Sequence, residues 1–329
     1  MNQKHFQNLQ KLAGISIVLA FLISCNKDDD QGFTITDPIA ISTKTSDTII
    51  HIPVGNSRVP IYLAIPPNPS SAMKAVMVLH GSGGLWKDND PEKGVLGSQF
   101  EDWKELINQN GMVAVFPDSY SPRGCEERTG KWKVPPDRWL ISSQWVRPQD
   151  AFNALTMLRN LQFKDSNAVI HPQKVGLLGF SDGGTALAAT QFDHDAIPEE
   201  WDWTQKFGGK TYGISDGVLP PPPPPKEGGF NRSIFYYGGA FGNGFWGGNP
   251  CSDDAAKEYI YNTNKPMLCI LGEEDSLTEN ALCMVSQLQE KGSPVQLEVY
   301  QNVGHGFDTD ELPQSADARK ETINFLKKM

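Results

Sequence analysis

The sequence predicts an α/β protein built on a mostly parallel central sheet with helices on both faces. Three observations carry this. Short apolar or β-branched runs alternate with amphipathic helical stretches along most of the chain. One run, residues 175–178, leads straight into Gly179-Phe180-Ser181-Asp182-Gly183. A carboxylate cluster and then a histidine follow the ends of two later runs.

The elements fall in order. Residues 47–53 and 59–65 alternate around Gly55-Asn56-Ser57 and read as an antiparallel hairpin at a sheet edge. Residues 75–79 form a strand, 99–108 a helix and 112–116 a strand. Residues 149–161 place Ala151, Ala154, Leu155 and Leu158 on one helical face. Strand 175–178 precedes a helix over 184–191. Strands at 233–237, 267–271 and 295–300 alternate with helices at 279–291 and 316–329. The stretch 38–329 is long enough to bury one large core.

Residues 192–231 break this rhythm with Trp201, Trp203 and six consecutive prolines, 220–225. Such a run forms a stiff polyproline II rod. Its place after the helix 184–191 fits either a lid or a surface excursion. A second flexible loop rich in glycine and aromatics, 241–248, is expected near the same end of the sheet.

Residues 1–24 read as a signal peptide, with Lys4 and Lys11 ahead of an apolar stretch too short to span a membrane. The stretch ends in Leu22-Ile23-Ser24-Cys25, which resembles a lipobox and makes Cys25 the expected site of acylation. Residues 25–37 then read as the acylated cysteine and a tether. Its Asp28-Asp29-Asp30 run resembles the surface-export signal of Bacteroidota lipoproteins. The expected location is the cell envelope, as an outer-membrane lipoprotein with the domain exposed at the surface. Loss of Lys4 and Lys11 takes the formal charge from −10 to −12, which argues against nucleic acid as a partner.

Beyond Cys25 the cysteines are Cys125, Cys251, Cys269 and Cys283, for which three pairings are open. Cys251–Cys283 is the bridge expected, and Cys269 sits in an apolar run as a buried thiol. No metal-ligand spacing is present, so no metal is expected.

The pattern at Ser181 is that of a nucleophile elbow, in which glycines let the chain turn from strand to helix and expose the serine. A serine hydroxyl needs a base, and histidine ionises near working pH. Of the six histidines, His305 in Gly304-His305-Gly306-Phe307 has small neighbours and follows the last strand. His80 ends a strand and reads as structural. Asp275, deepest in Gly272-Glu273-Glu274-Asp275-Ser276, is the expected acid, with Glu273 the alternative. The oxyanion donors expected are the backbone N–H groups of Asp182 and of Ser82, in His80-Gly81-Ser82-Gly83-Gly84, with Gly81 the alternative to Ser82. Trp86, Tyr120, Arg123 and Phe180, with Gly81 and Trp145, are candidates to line a pocket. Arg123 either holds a substrate carboxylate or ties its loop to Asp118 or Asp150. Arg147 and Asp150 read as a structural pair.

The blocks 79–84, 118–124, 147–151, 176–184, 271–275 and 304–308 together resemble the dienelactone hydrolase family, over roughly residues 49–329. The resemblance implies an α/β-hydrolase fold, no cofactor, and hydrolysis of ester or lactone bonds through an acyl-enzyme. Dienelactone hydrolases proper use a cysteine nucleophile where this chain has Ser181, which favours general carboxylester chemistry. Asp182 stands where related secreted members often carry histidine, and its charge is expected to weaken the oxyanion site or reject anionic substrates. The expected substrate is a small-molecule or glycan-linked ester. The alternatives are a peptidase and a binding protein on the same scaffold.

Overall fold

The computed structural model describes residues 38–42, 47–239 and 244–329. Cys25 and the tether over residues 25–37 lie outside them, as do Phe241, Gly242 and Asn243 of the second loop.

Strands β1 (Ile39–Ile41), β2 (Asp47–Val54), β3 (Ser57–Ala64) and β4 (Met73–Leu79) precede α1 (Ser98–Gln109) and β5 (Val113–Pro117). After α2 (Val146–Arg159) come β6 (Leu161–Phe163), β7 (Ile170–Phe180) and α3 (Asp182–Thr190). The insert contributes β8 (Gln205–Phe207) and β9 (Lys210–Tyr212). Then follow β10 (Ser233–Tyr236), α4 (Ala255–Glu258), β11 (Met267–Gly272), α5 (Thr278–Glu290), β12 (Val295–Tyr300) and α6 (Pro313–Lys327).

The main sheet has eight strands in the order β12-β11-β10-β7-β4-β5-β3-β2. From β12 to β5 every neighbour is parallel, while β2 and β3 form the expected antiparallel edge. The inner parallel strands are apolar over their central residues because both faces are covered, whereas edge strand β12 leaves Gln296 and Glu298 exposed. Helices α2, α3 and α5 bury Leu155, Leu187 and Met284 on one face with Ala75, Met77 and Leu79 of β4. Helices α1 and α6 bury Trp103, Ile107 and Leu326 on the other with Val76 and Val78. The chain leaves β4 for β5 on one side and returns to β7 on the other. Loops after β4 and β7 therefore diverge, opening a crevice at the carboxyl ends of these strands.

Among the elements named above, β1, β6, β8, β9 and α4 escape the sequence reading. Strand β1 pairs in parallel with β6 as a separate two-stranded ribbon. Three residues each are too few for a period-2 pattern to register.

The insert divides in two. The β8–β9 hairpin packs beside the residues before α2, with Tyr212 against Trp139 and Arg138 over Phe207. The proline run instead lies at the carboxyl-terminal end of α3, where Pro223 and Pro224 line a cavity of about 400 Å³ with Thr190, Gln191 and His194. Ser181 is at the opposite end of that helix, so the proline run does not cover it. Nor is the described part of the second loop open, since Phe245 and Trp246 are fully buried against Trp203. Their large apolar area favours core over solvent. Cys251 and Cys283 form the expected disulfide, and Cys125 and Cys269 are buried thiols.

Candidate active site

Ser181 sits between β7 and α3 with φ 53° and ψ −116°. That conformation is strained for a residue with a side chain, and packing must hold it. The glycines around it allow close contact. A methyl group added at Gly183 would lie 2.1 Å from the Leu79 carbonyl oxygen, and one at Gly179 would lie 2.3 Å from that of Gly183. The Ser181 N–H donates to the Tyr236 carbonyl at 3.1 Å, which ties the elbow to β10.

The loop after β12 brings His305 Nε2 to 2.9 Å from Ser181 Oγ. His305 Nδ1 lies 2.6 Å from Asp275 Oδ2. The loops after β11 and β12 approach this closely because Gly272 has no side chain. A methyl there would sit 2.5 Å from the Val303 carbonyl oxygen. The other oxygen of Asp275 accepts from the Leu277 N–H at 3.0 Å. Glu273 and Glu274 are exposed, and Glu273 only braces the Asn302 N–H. Beneath His305 lies a group the sequence reading missed. Tyr237 places its ring 4.7 Å from that of His305, and its hydroxyl donates to buried Asp308. Gln99 and Trp103 of α1 also donate to Asp308. Only the Gly-His-Gly-Phe-Asp spacing hinted at Asp308, since Tyr237 lies 71 residues away in sequence and Trp103 and Gln99 lie 205 and 209 away.

On the other side of Ser181 the glycine loop follows β4. A methyl at Gly81 would stand 3.5 Å from the Ser181 Cβ, so this loop borders the nucleophile. The Ser82 carbonyl accepts from the Arg128 N–H at 2.8 Å. His80 is fully buried, as its structural reading requires. Its Nε2 accepts from the Ser119 N–H, so Nδ1 carries the proton and donates to the Gly81 carbonyl at 2.8 Å. Burial, and then Arg147, pull its pKa down to about 4.

Several pocket expectations are corrected here. Tyr120 is fully buried and donates its hydroxyl to Asp182. Phe180 is buried among Phe100, Trp103 and Tyr236. Trp145 is buried against Trp139 and Phe245. Arg123 is committed to a bidentate pair with buried Asp150, at 2.8 and 2.9 Å, and is not free for a substrate carboxylate. Asp150 therefore pairs with Arg123 and not with Arg147. Trp86 does line a cavity, of about 460 Å³, but with Arg58, Pro60 and Pro122 beside the β2–β3 edge.

The Asp182 carboxylate is also corrected. It accepts from Arg147 Nη1 at 2.6 Å, Ser143 Oγ at 2.6 Å and Tyr120 at 2.7 Å, with Arg128 Nη2 at 3.4 Å. Burial raises its pKa, but Arg128 and Arg147 outweigh that and hold it well below the usual carboxylate range. Its charge is neutralised within the protein and does not stand bare beside an oxyanion. No cluster of potential metal ligands occurs among the described residues.

Residues 225–329 match the model of the dienelactone hydrolase family. That third of the chain is similar to the dienelactone hydrolase family. No curated protein matches it. Solved structures share the fold at low identity. A dienelactone hydrolase from Klebsiella pneumoniae is 15% identical, with a TM-score of 0.56 over 86% of this chain and 98% of its own. Esterase 2 of Thermogutta terrifontis with propionate bound is 16% identical, with a TM-score of 0.53 over 86% and 93%. The dienelactone hydrolase-like promiscuous phosphotriesterase P91, from metagenomic libraries, is 13% identical, with a TM-score of 0.55 over 86% and 97%. The α/β-hydrolase fold expected from the sequence is thus present, and the family match supports a carboxylic ester hydrolase.

Proposed function

We propose that the chain cleaves carboxylic ester or lactone bonds by way of an acyl-enzyme on Ser181. The observation that carries this is the unbroken chain of hydrogen bonds from Ser181 Oγ through His305 to Asp275. Ser181 Oγ attacks the carbonyl carbon as its proton passes to His305 Nε2. Asp275 fixes the Nδ1–H tautomer and stabilises the imidazolium. His305 then returns the proton to the leaving alkoxide. Water, deprotonated by His305, releases the acid by the reverse sequence. The developing oxyanion takes hydrogen bonds from the backbone N–H groups of Asp182 and Ser82. Substrates are small-molecule or glycan-linked esters. Acylation of Cys25 holds the domain at the envelope surface.

The test is hydrolysis of esters of graded acyl length by wild type and Ser181→Ala, beside labelling with a fluorophosphonate. Turnover and labelling by wild type alone are expected. Equal turnover by both proteins would remove Ser181 from the mechanism.

A further inference from the structure

We infer that Arg147 is the positioning residue of the oxyanion hole, clamping together the two backbone segments that supply its donors. This rests on the esterase reading above for its catalytic consequence, though not for its geometry. One edge of the fully buried guanidinium holds each segment. Nη1 donates to the Asp182 carboxylate at 2.6 Å, on the residue after the nucleophile. Nη2 donates to the His80 carbonyl at 2.5 Å, at the root of the glycine loop. These segments come from different strands, β7 and β4, and Gly183 already rests against the Leu79 carbonyl between them.

The surroundings fix the guanidinium itself. It lies 5.3 Å from the ring of Tyr120, whose hydroxyl is bonded to the same carboxylate. Ser143, just before α2, occupies the other carboxylate oxygen. The His80 ring and the Arg128 N–H hold the glycine loop itself, through the Gly81 and Ser82 carbonyls. An oxyanion hole is effective only when its donors are aimed before the charge develops. A planar fork with two parallel donor directions sets that aim, and a lysine ammonium does not. The half-buried Asp182 charge thereby serves as the handle by which Arg147 grips the elbow.

The experiment compares wild type, Arg147→Lys, Asp182→Asn, their double variant and Ser181→Ala. Each clamp variant is expected to lower kcat by a factor of about 10² while KM stays within about threefold, the signature of an interaction made in the transition state. The double variant is expected to lose no more than the worse single, because both remove one clamp. Hydrogen exchange over residues 79–86 is expected to quicken in both single variants and to stay as in wild type in Ser181→Ala. A kcat near wild type in Arg147→Lys, losses that multiply in the double variant, or unchanged exchange over 79–86 would each overturn the clamp. If wild type and Ser181→Ala turn over esters alike, the esterase reading fails. The exchange comparison then still decides whether the clamp exists.

Discussion

His305 leaves 43% of its side chain open to solvent, whereas Arg147, on the other side of Ser181, leaves none. The histidine hangs from a glycine-flanked loop over one buried carboxylate and one tyrosine ring. The arginine is enclosed by strand ends, the first turns of α2 and α3, and a half-buried carboxylate with four partners. In the proposed mechanism the difference follows from what each arm must do. A proton shuttle has to reach the nucleophile, the leaving group and water in turn, so it sits at the surface. Oxyanion donors must be aimed in advance, so the arginine behind them is set in a packed interior.

That contrast can be broken from either side. The largest effect is expected on the open arm, where Asp275→Asn leaves the packing intact but favours the wrong tautomer of His305. Its kcat should fall by a factor on the order of 10⁴ with thermal stability little changed, measured by ester kinetics and calorimetry. The closed arm should respond in the opposite proportion. Gly183→Ala drives a methyl into the Leu79 carbonyl, so stability and activity should fall together, the stability by about 1–3 kcal/mol in urea titration. Reducing Cys251–Cys283 should cost about 3–4 kcal/mol, because the bridge closes a loop with a sequence separation of 32. It pins the helix that follows Asp275, so melting in the presence of reductant should drop while kcat below the new transition holds.

The pH dependence of stability sharpens the comparison further. His80 is neutral in the fold, with its pKa pulled down to about 4. The unfolded chain binds that proton near the ordinary histidine value of about 6.5. Between these values the unfolded state holds more protons, so stability falls as pH falls. The contribution is complete above about pH 6.5 and, at full size, about 3 kcal/mol is lost on reaching pH 4. Urea midpoints at pH 7 and pH 4.5 should therefore differ less in His80→Gln than in wild type. The smallest effect is expected for Tyr120→Phe, which removes one of several bonds to Asp182 and should cost about 1 kcal/mol.

What the sequence determined by itself was the local and the periodic. Strand and helix alternation, the edge hairpin, the elbow at Ser181 and the short glycine-flanked loops bearing Asp275 and His305 all leave a pattern within a few residues. The order serine, acid, histidine then told which loops must meet. Tertiary structure alone decided which charges pair. Arg123 chose Asp150, Arg147 chose Asp182, and Tyr120, Phe180 and Trp145 became core and not pocket. The reason is that a buried charge takes whichever partner relieves its desolvation, and that partner is set by the packing of distant elements. Asp182 shows it best: from its neighbours in sequence it is a charge beside an oxyanion, and only the fold supplies the two arginines that cancel it.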